Sequence, residues 1–307
     1  MKTNNKINTK VNIGSLELKN PVMTASGTFG YGLEFEEYMD LNSIGAIIVK
    51  GLAIKPVKGN KTPRLVETTA GIINAIGLQN IGVDAFLKDK LPKLKKYKTP
   101  IIANIYGTSV EEYIEVAHML EGTDVAAVEV NISCPNVKKG GLAFAADRVA
   151  IKGILDGVKR VYKKPVIMKL SPNVGPLEEL ARFCEDSGAD SLSLINTLVG
   201  MKIDIEKKKP CIANIYGGLS GPAIKPVALA FVHKVSKAVK IPLIGIGGIM
   251  NWCDAVEFMM AGATAVEIGT ANFREPDASE KTAKGIVGYM KKNNIKDIKT
   301  IIGSLNC

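Results

Sequence analysis

Short runs of consecutive apolar, largely β-branched residues alternate along this chain with longer stretches of helical periodicity. Eight runs recur in order: PVMTAS (21–26), AIIVK (46–50), IIANIY (101–106), AVEVNIS (127–133), PVIMKLS (165–171), SLSLINT (191–197), LIGIGG (243–248) and AVEIGT (265–270). They are near-continuous apolar runs, the pattern of strands buried on both faces. Between them lie helical stretches at 33–42, 80–95, 109–120, 145–162, 176–187, 222–238, 251–261 and 277–293. Ser109 and Glu112 have the spacing of a capping box at the start of the third. Eight β–α alternations predict an α/β chain folded as one (β/α)8 barrel, the TIM-barrel architecture, with residues 1–307 as a single domain. The segment VNIGSLELKN (11–20) alternates apolar and polar around Gly14-Ser15 and predicts a β-hairpin closing the bottom of the barrel. A long loop insertion, Leu198 to Ser220, follows strand six, and loops of that length are usually lids or binding loops. The hexapeptide IANIYG occurs at 102–107 and at 212–217, but its flanks do not align, so it is read as coincidence.

Composition narrows this only slightly. The 307 residues are 46% hydrophobic and 23% charged, which excludes disorder and collagen-like sequence. The net charge of +10 raises a nucleic-acid or anionic-ligand reading. Only Arg64, Arg148, Arg160, Arg182 and Arg274 are arginines among 40 basic residues. Bidentate readout of bases and phosphates favours arginine, so most of this charge is expected to be solvated lysine, with no nucleic-acid partner. The five cysteines form no C-x-x-C pair and there are two histidines, so no metal site is expected. The N-terminus MKTNNKINTKVNIG lacks the apolar core of a signal peptide. No apolar run approaches the roughly 18 residues of a membrane helix, and Cys307 is not placed for prenylation. The expectation is a soluble cytoplasmic protein in a reducing compartment.

In a (β/α)8 barrel the chemistry gathers at the C-terminal ends of the strands. Here those ends carry Ser26, Lys50, Asn104, Asn131 with Ser133 and Cys134, Lys169, Asn196 with Thr197, Gly247 with Gly248, and Gly269 with Thr270. Serine and glycine are ordinary where a loop begins. Two lysines and three asparagines are not, because both types are depleted in strands. The glycines ending strands seven and eight stand where this fold commonly binds phosphate, and they point to a phosphorylated cofactor held by backbone donors. GIGGI (245–249) lacks a GxGxxG pattern, which disfavours a Rossmann site. Cys134, in NISCPN (131–136), follows strand four directly. A thiol of pKa near 8.5 can act as nucleophile or general base. Cys184, Cys211 and Cys253 read instead as small buried hydrophobes. His118 and His233 fall in predicted helices, which argues against a histidine mechanism.

Taken together, NPVMTASGTFGYG (20–32), VKG (49–51), NAIGLQN (74–80), NISCPNVKKGG (131–141), MKLSPNV (168–174), NTLVGMKID (196–204), GGLSGPAIKPVAL (217–229), GIGGI (245–249) and EIGTANF (267–273) resemble class 1 dihydroorotate dehydrogenase, most closely the catalytic, FMN-binding subunit of class 1B. The resemblance runs from about Val11 to Phe273. It implies oxidation of dihydroorotate to orotate in pyrimidine synthesis. The FMN contacts it implies are Ser26, Lys50, Asn104, Asn131, Lys169, Ile195, Gly221, Gly247, Gly248, Gly269 and Thr270. The orotate contacts it implies are Lys50, Asn74, Ala75, Ile76, Gly77, Leu78, Asn131, Asn196 and Thr197. Cys134 would remove the C5 proton while hydride leaves C6 for flavin N5. Orotate is a planar anion with an imide edge, which suits flat asparagine amides and lysine charge. Leu52 and Ala53 depart from the threonines the family often carries after Val49-Lys50-Gly51.

Within the family, class 1A enzymes are homodimers that reduce fumarate. Class 1B enzymes add a subunit carrying FAD and a 2Fe–2S cluster and deliver electrons to NAD⁺. NAIGLQN and ASGTFGYG are more similar to class 1B. This chain has no iron–sulfur cysteine cluster and no NAD fingerprint, so a partner would carry both, giving a heterotetramer on a homodimer core. Two other readings remain open. An FMN-dependent tRNA-dihydrouridine synthase also pairs a barrel with an N-x-x-C-P cysteine, but it needs a C-terminal helical domain that the residues after Thr270 are too few to form. A non-catalytic barrel that merely binds a phosphorylated ligand would be colourless and would not take up FMN.

Overall fold

A computed structural model describes residues 7–132 and 147–306 of the chain. The N-terminal hairpin pairs β1 (Val11–Ile13) with β2 (Leu16–Leu18). Its turn packs against Pro165 and Asp190, where two barrel strands begin, so it closes the bottom of the barrel. The barrel strands in chain order are β3 (Val22–Thr24), β4 (Ile47–Leu52), β7 (Ile101–Ile105), β8 (Val125–Asn131), β9 (Val166–Lys169), β10 (Ser191–Leu194), β15 (Leu243–Ile246) and β16 (Ala265–Ile268). They pair in parallel in the order β3-β16-β15-β10-β9-β8-β7-β4. A parallel bridge between Met23 and Ala46, with Gly45 N donating to Val22 O at 2.7 Å, brings the two outer strands together. All eight apolar runs therefore became barrel strands. Residues such as Ile47, Ile48, Val128, Val166 and Val266 are fully buried because helices cover the outer face and side chains fill the inside.

Helices Val110–Leu120, Arg148–Val161, Leu177–Asp186, Lys225–Ser236, Trp252–Met260 and Ala278–Lys292 match six of the helical stretches. Residues 83–94 form a helical segment broken by a π-type turn at Phe86–Lys90. The stretch 33–42 differs from expectation and holds only the 3₁₀ turns Leu33–Phe35 and Leu41–Ser43. Half of the expected capping box forms. Ser109 Oγ accepts from Glu112 N at 3.4 Å, but the Glu112 carboxylate turns to Thr108 N at 2.6 Å. A complete capping box appears instead at Asn251 and Asp254.

The connection after strand six is itself built of strands. Its β11 (Leu198–Met201) and β14 (Tyr216–Ser220) join β5 (Leu65–Thr68) and β6 (Gly71–Asn74) in an antiparallel sheet of order β11-β14-β6-β5. The hairpin β12 (Ile203–Asp204) with β13 (Lys209–Pro210) extends from it. Ile73, Ala75 and Ile212 form a small apolar cluster under this sheet, separate from the barrel core. Glycines and a turn-rich sequence hid these strands from a periodicity reading: Gly200, Gly217 and Gly218 leave no alternating pattern.

Candidate active site

A cleft of about 370 Å³ opens at the C-terminal ends of the barrel strands, walled on one side by the antiparallel sheet. Ser26, Lys50, Asn131, Lys169, Ile195, Gly221, Gly247, Gly248, Gly269 and Thr270 line it. Asn74, Ile76, Gly77, Leu78, Asn196 and Thr197 line it as well. Residues spread across most of the chain thus converge, because each β–α unit delivers its strand end to one rim. Two expected residues do not reach the cleft. Ala75 is fully buried in the small apolar cluster, and Asn104 lies beneath the floor. Cys134 and Ser133 lie outside the described residues. Leu52 and Ala53 are buried in the core and do not line the cleft. The cysteine reading holds for Cys184, which is buried, but not for Cys253. Cys253 sits exposed in the first turn of the helix Trp252–Met260, and Cys211 is half-buried.

Thr28, Gln79, Ser220, Ile246, Ile249, Met250 and Phe273 also line the cleft and were not anticipated. Gln79 accepts a hydrogen bond from Arg64, and Thr270 Oγ1 donates to Ser220 Oγ at 2.8 Å, tying the end of β16 to β14. Two glycines owe their identity to close approach. A Cβ at Gly248, where φ is +74°, would lie 2.6 Å from Lys225 N. The glycine pair is therefore required first by the start of the helix Lys225–Ser236 behind it. A Cβ at Gly51 would lie 2.9 Å from Asn104 Oδ1.

Below the cleft the barrel interior is polar. Glu129 and Asn131 are two residues apart on β8, so both point inward, one layer above the other. Asn104 Nδ2 donates to Glu129 Oε1 at 2.6 Å and Ser193 Oγ donates to Glu129 Oε2 at 2.7 Å. Lys169 Nζ lies 3.5 Å from Glu129 and 3.7 Å from Glu267 Oε2. Burial opposes the Lys169 charge, but the two neighbouring carboxyls outweigh it and hold the ammonium above the usual lysine range. Burial likewise opposes ionisation of Glu129, yet the Lys169 charge and the hydrogen bonds from Ser193 and Asn104 keep it below the usual carboxyl range. Glu267 is pushed well above that range, first by burial and then by the Glu129 charge. At the rim, burial followed by the nearby Arg64 charge lowers the Lys50 pKa. Sequence reading passed over both glutamates, although AVEVNIS and AVEIGT each place one in the middle of an apolar run. A charge in a strand buried on both faces is a signal in itself.

This arrangement places two lysines and several amides around a partly apolar slot. The profile described as "Dihydroorotate dehydrogenase" matches residues 8–290. This chain belongs to that family. Among curated dihydroorotate dehydrogenases, a protein of Geobacter sp. named "Dihydroorotate dehydrogenase B (NAD(+)), catalytic subunit" is 57% identical over 296 residues, covering 96% of this chain and 97% of that protein. The protein of the same name from Geobacter sulfurreducens is also 57% identical over 296 residues. That of Pelobacter propionicus is 54% identical over 298 residues, covering 97% and 98% of the two chains. Among the described residues, no helix is long and apolar enough to cross a membrane, and no cluster of three His, Cys, Asp or Glu is placed to hold a metal ion.

Proposed function

We propose that this chain, as one barrel domain, oxidises (S)-dihydroorotate to orotate in the cytoplasmic synthesis of pyrimidines, with FMN bound in the cleft. The observation that carries the reading is the convergence of Lys50, Lys169, Asn131, Asn196 and Thr197 on one cleft in a chain of this family. The residues present fit a flavin. Ile195, Ile246 and Ile249 give the slot apolar surface for a planar ring, and Gly221, Gly248 and Thr270 also line it and would approach a phosphate closely. Gly51, which lines the cleft, leaves room over the buried Asn104 Oδ1, an atom with no hydrogen-bond partner among the described residues, where a Cβ would come within 2.9 Å.

When bound, the flavin supplies the acceptor for the two electrons leaving C6 of the substrate. The chain's own groups bind and orient. Lys50 supplies charge for the substrate carboxylate, and Asn74, Asn131 and Asn196 offer donor and acceptor on flat amides that match the imide edge. Ile76, Gly77, Leu78 and Thr197 line the same slot, where they would help to keep water from a bound substrate. Cys134 follows Asn131 by three positions in the chain and is the proposed base for the C5 proton.

The names of the relatives, which print NAD(+) and a catalytic subunit, support NAD⁺ over fumarate as the final acceptor and a second subunit; that subunit is proposed to carry FAD and a 2Fe–2S cluster on a homodimer core of this chain. The purified protein should be yellow, and dihydroorotate should bleach its flavin absorbance under anaerobic conditions. A colourless protein that FMN cannot reconstitute would overturn this reading. The chain alone should reduce artificial acceptors but not NAD⁺ efficiently; efficient NAD⁺ reduction without a partner would remove the second subunit.

A further inference from the structure

The barrel interior holds three ionisable groups where a single ion pair would balance. Glu129, Glu267 and Lys169 lie on β8, β16 and β9, and both glutamates are fully buried. Their surroundings differ. Glu129 accepts hydrogen bonds from Asn104 and Ser193. Among the described residues, Glu267 has no donor within hydrogen-bonding distance of either oxygen; it sits against the Glu129 carboxyl, toward which it can donate only if protonated, and Lys169 Nζ lies 3.7 Å away. Lys169 in turn lines the cleft floor.

We propose that Glu267 is a positioning residue for the Lys169 ammonium, holding it from below so that it faces an anionic occupant of the cleft. This rests on the flavin reading above and goes beyond it. The charges decide how Glu267 does so. The titratable groups that face it are Lys169 and Glu129; the other polar groups of the cluster, Asn104 and Ser193, are neutral. With Glu129 ionised and Lys169 charged, the cluster is neutral only if Glu267 keeps its proton. Ionised, it would be a buried carboxylate set against the Glu129 carboxylate with its cation 3.7 Å away, and it would place a net negative charge under the site of an anion. Its upward pKa shift agrees with this geometry. A neutral carboxyl can still orient the ammonium through its carbonyl dipole without cancelling its charge. Glu129, satisfied by two neutral donors, supplies the counter-charge.

Infrared difference spectroscopy on the flavin-free protein at pH 7 reads the protonation state. Wild type should show the carbonyl stretch of a protonated carboxylic acid, and Glu267→Gln should lose it. A second pair of variants reads the positioning. Glu267→Leu fills the space with no dipole and is expected to weaken FMN binding about tenfold or more by fluorescence quenching, with the thermal midpoint close to wild type. Glu267→Gln, which keeps a neutral carbonyl there, is expected to restore most of that loss. An acid band that persists in Glu267→Gln, or FMN binding by Glu267→Leu as tight as wild type, would overturn the proposal. If wild type itself binds no FMN, the flavin reading falls. The infrared comparison then still decides the protonation of Glu267, and orotate affinity of the same variants replaces FMN affinity as the readout of positioning.

Discussion

Asn104 on β7 donates its side-chain amide to the Glu129 carboxylate on β8 at 2.6 Å, one layer below the cleft. The two residues are directly opposite in the strand register, so the bond follows from the pairing of Ile102 with Ala127 and its neighbours. Asn104 thus serves the cleft from underneath, by stabilising a buried charge, with its Oδ1 close against Gly51. Replacing Asn104 with Ala should destabilise the protein by about 1.5–3 kcal/mol, the range for a lost hydrogen bond to a charged group. Asn104→Asp should cost more, because it sets a second carboxylate against Glu129. Urea unfolding of the two variants checks both the size and the order.

Lys169 carries the counter-charge of that cluster. Lys169→Met leaves Glu129 buried without its cation, and breaking such a pair costs about 3–5 kcal/mol. The variant should also lose its yellow colour. A variant that unfolds at the wild-type urea midpoint would show that Lys169 is not the partner of Glu129.

Lys50 is expected to trade stability for binding. Burial, and then the Arg64 charge, hold its folded pKa below that of an unfolded lysine. Between the folded and unfolded values the unfolded chain binds the extra proton, so stability rises with pH across that window. Below the folded pKa the cost of the charge is fully present. Lys50→Met should therefore stabilise the protein at pH 7, within the roughly 0.5–2 kcal/mol common for single stabilising substitutions, while orotate affinity collapses. In wild type, orotate affinity should fall with rising pH earlier than an ordinary lysine would predict. Orotate titrations across alkaline pH on both proteins check this.

Gly248→Ala should be poorly tolerated. Its φ of +74° costs an L-residue about 1–2 kcal/mol, and its Cβ would lie 2.6 Å from Lys225 N. The expected outcome is a lower thermal midpoint together with weaker FMN retention, since the rim of the cleft must shift. A variant equal to wild type in both would mean that the helix start at Lys225 moves freely.

Thiol labelling separates the described cysteines. Cys253 is exposed and should react with iodoacetamide at pH 8 in the folded protein. Cys184 is buried, with its pKa pushed up to about 12 by burial, and should react only on unfolding. Peptide mapping after a short exposure reads the order.

The barrel was legible because strand burial leaves a local trace: eight apolar runs became eight strands, and most of the polar residues and glycines that end them line the cleft. Asn131, Lys169, Asn196 and Gly248 could be named from position alone, since the fold sends every strand end to one rim. Other features left no such trace. The segment 33–42 has helical spacing but settles into two 3₁₀ turns. The sheet of β5, β6, β11 and β14 is rich in glycine, and it forms by pairing segments more than a hundred residues apart. Cys253 read as a core residue, yet its place in the first helical turn puts it at the surface. Above all, the sequence shows Glu129, Lys169 and Glu267 only as separate charges in apolar runs. Whether they meet depends on the register of β8, β9 and β16, and hence on the closed sheet. A strand's burial is set by its own residues, whereas a buried charge is set by what the neighbouring strands place beside it. The chain alone therefore determined the barrel and its rim, and the tertiary structure decided which charges meet beneath it.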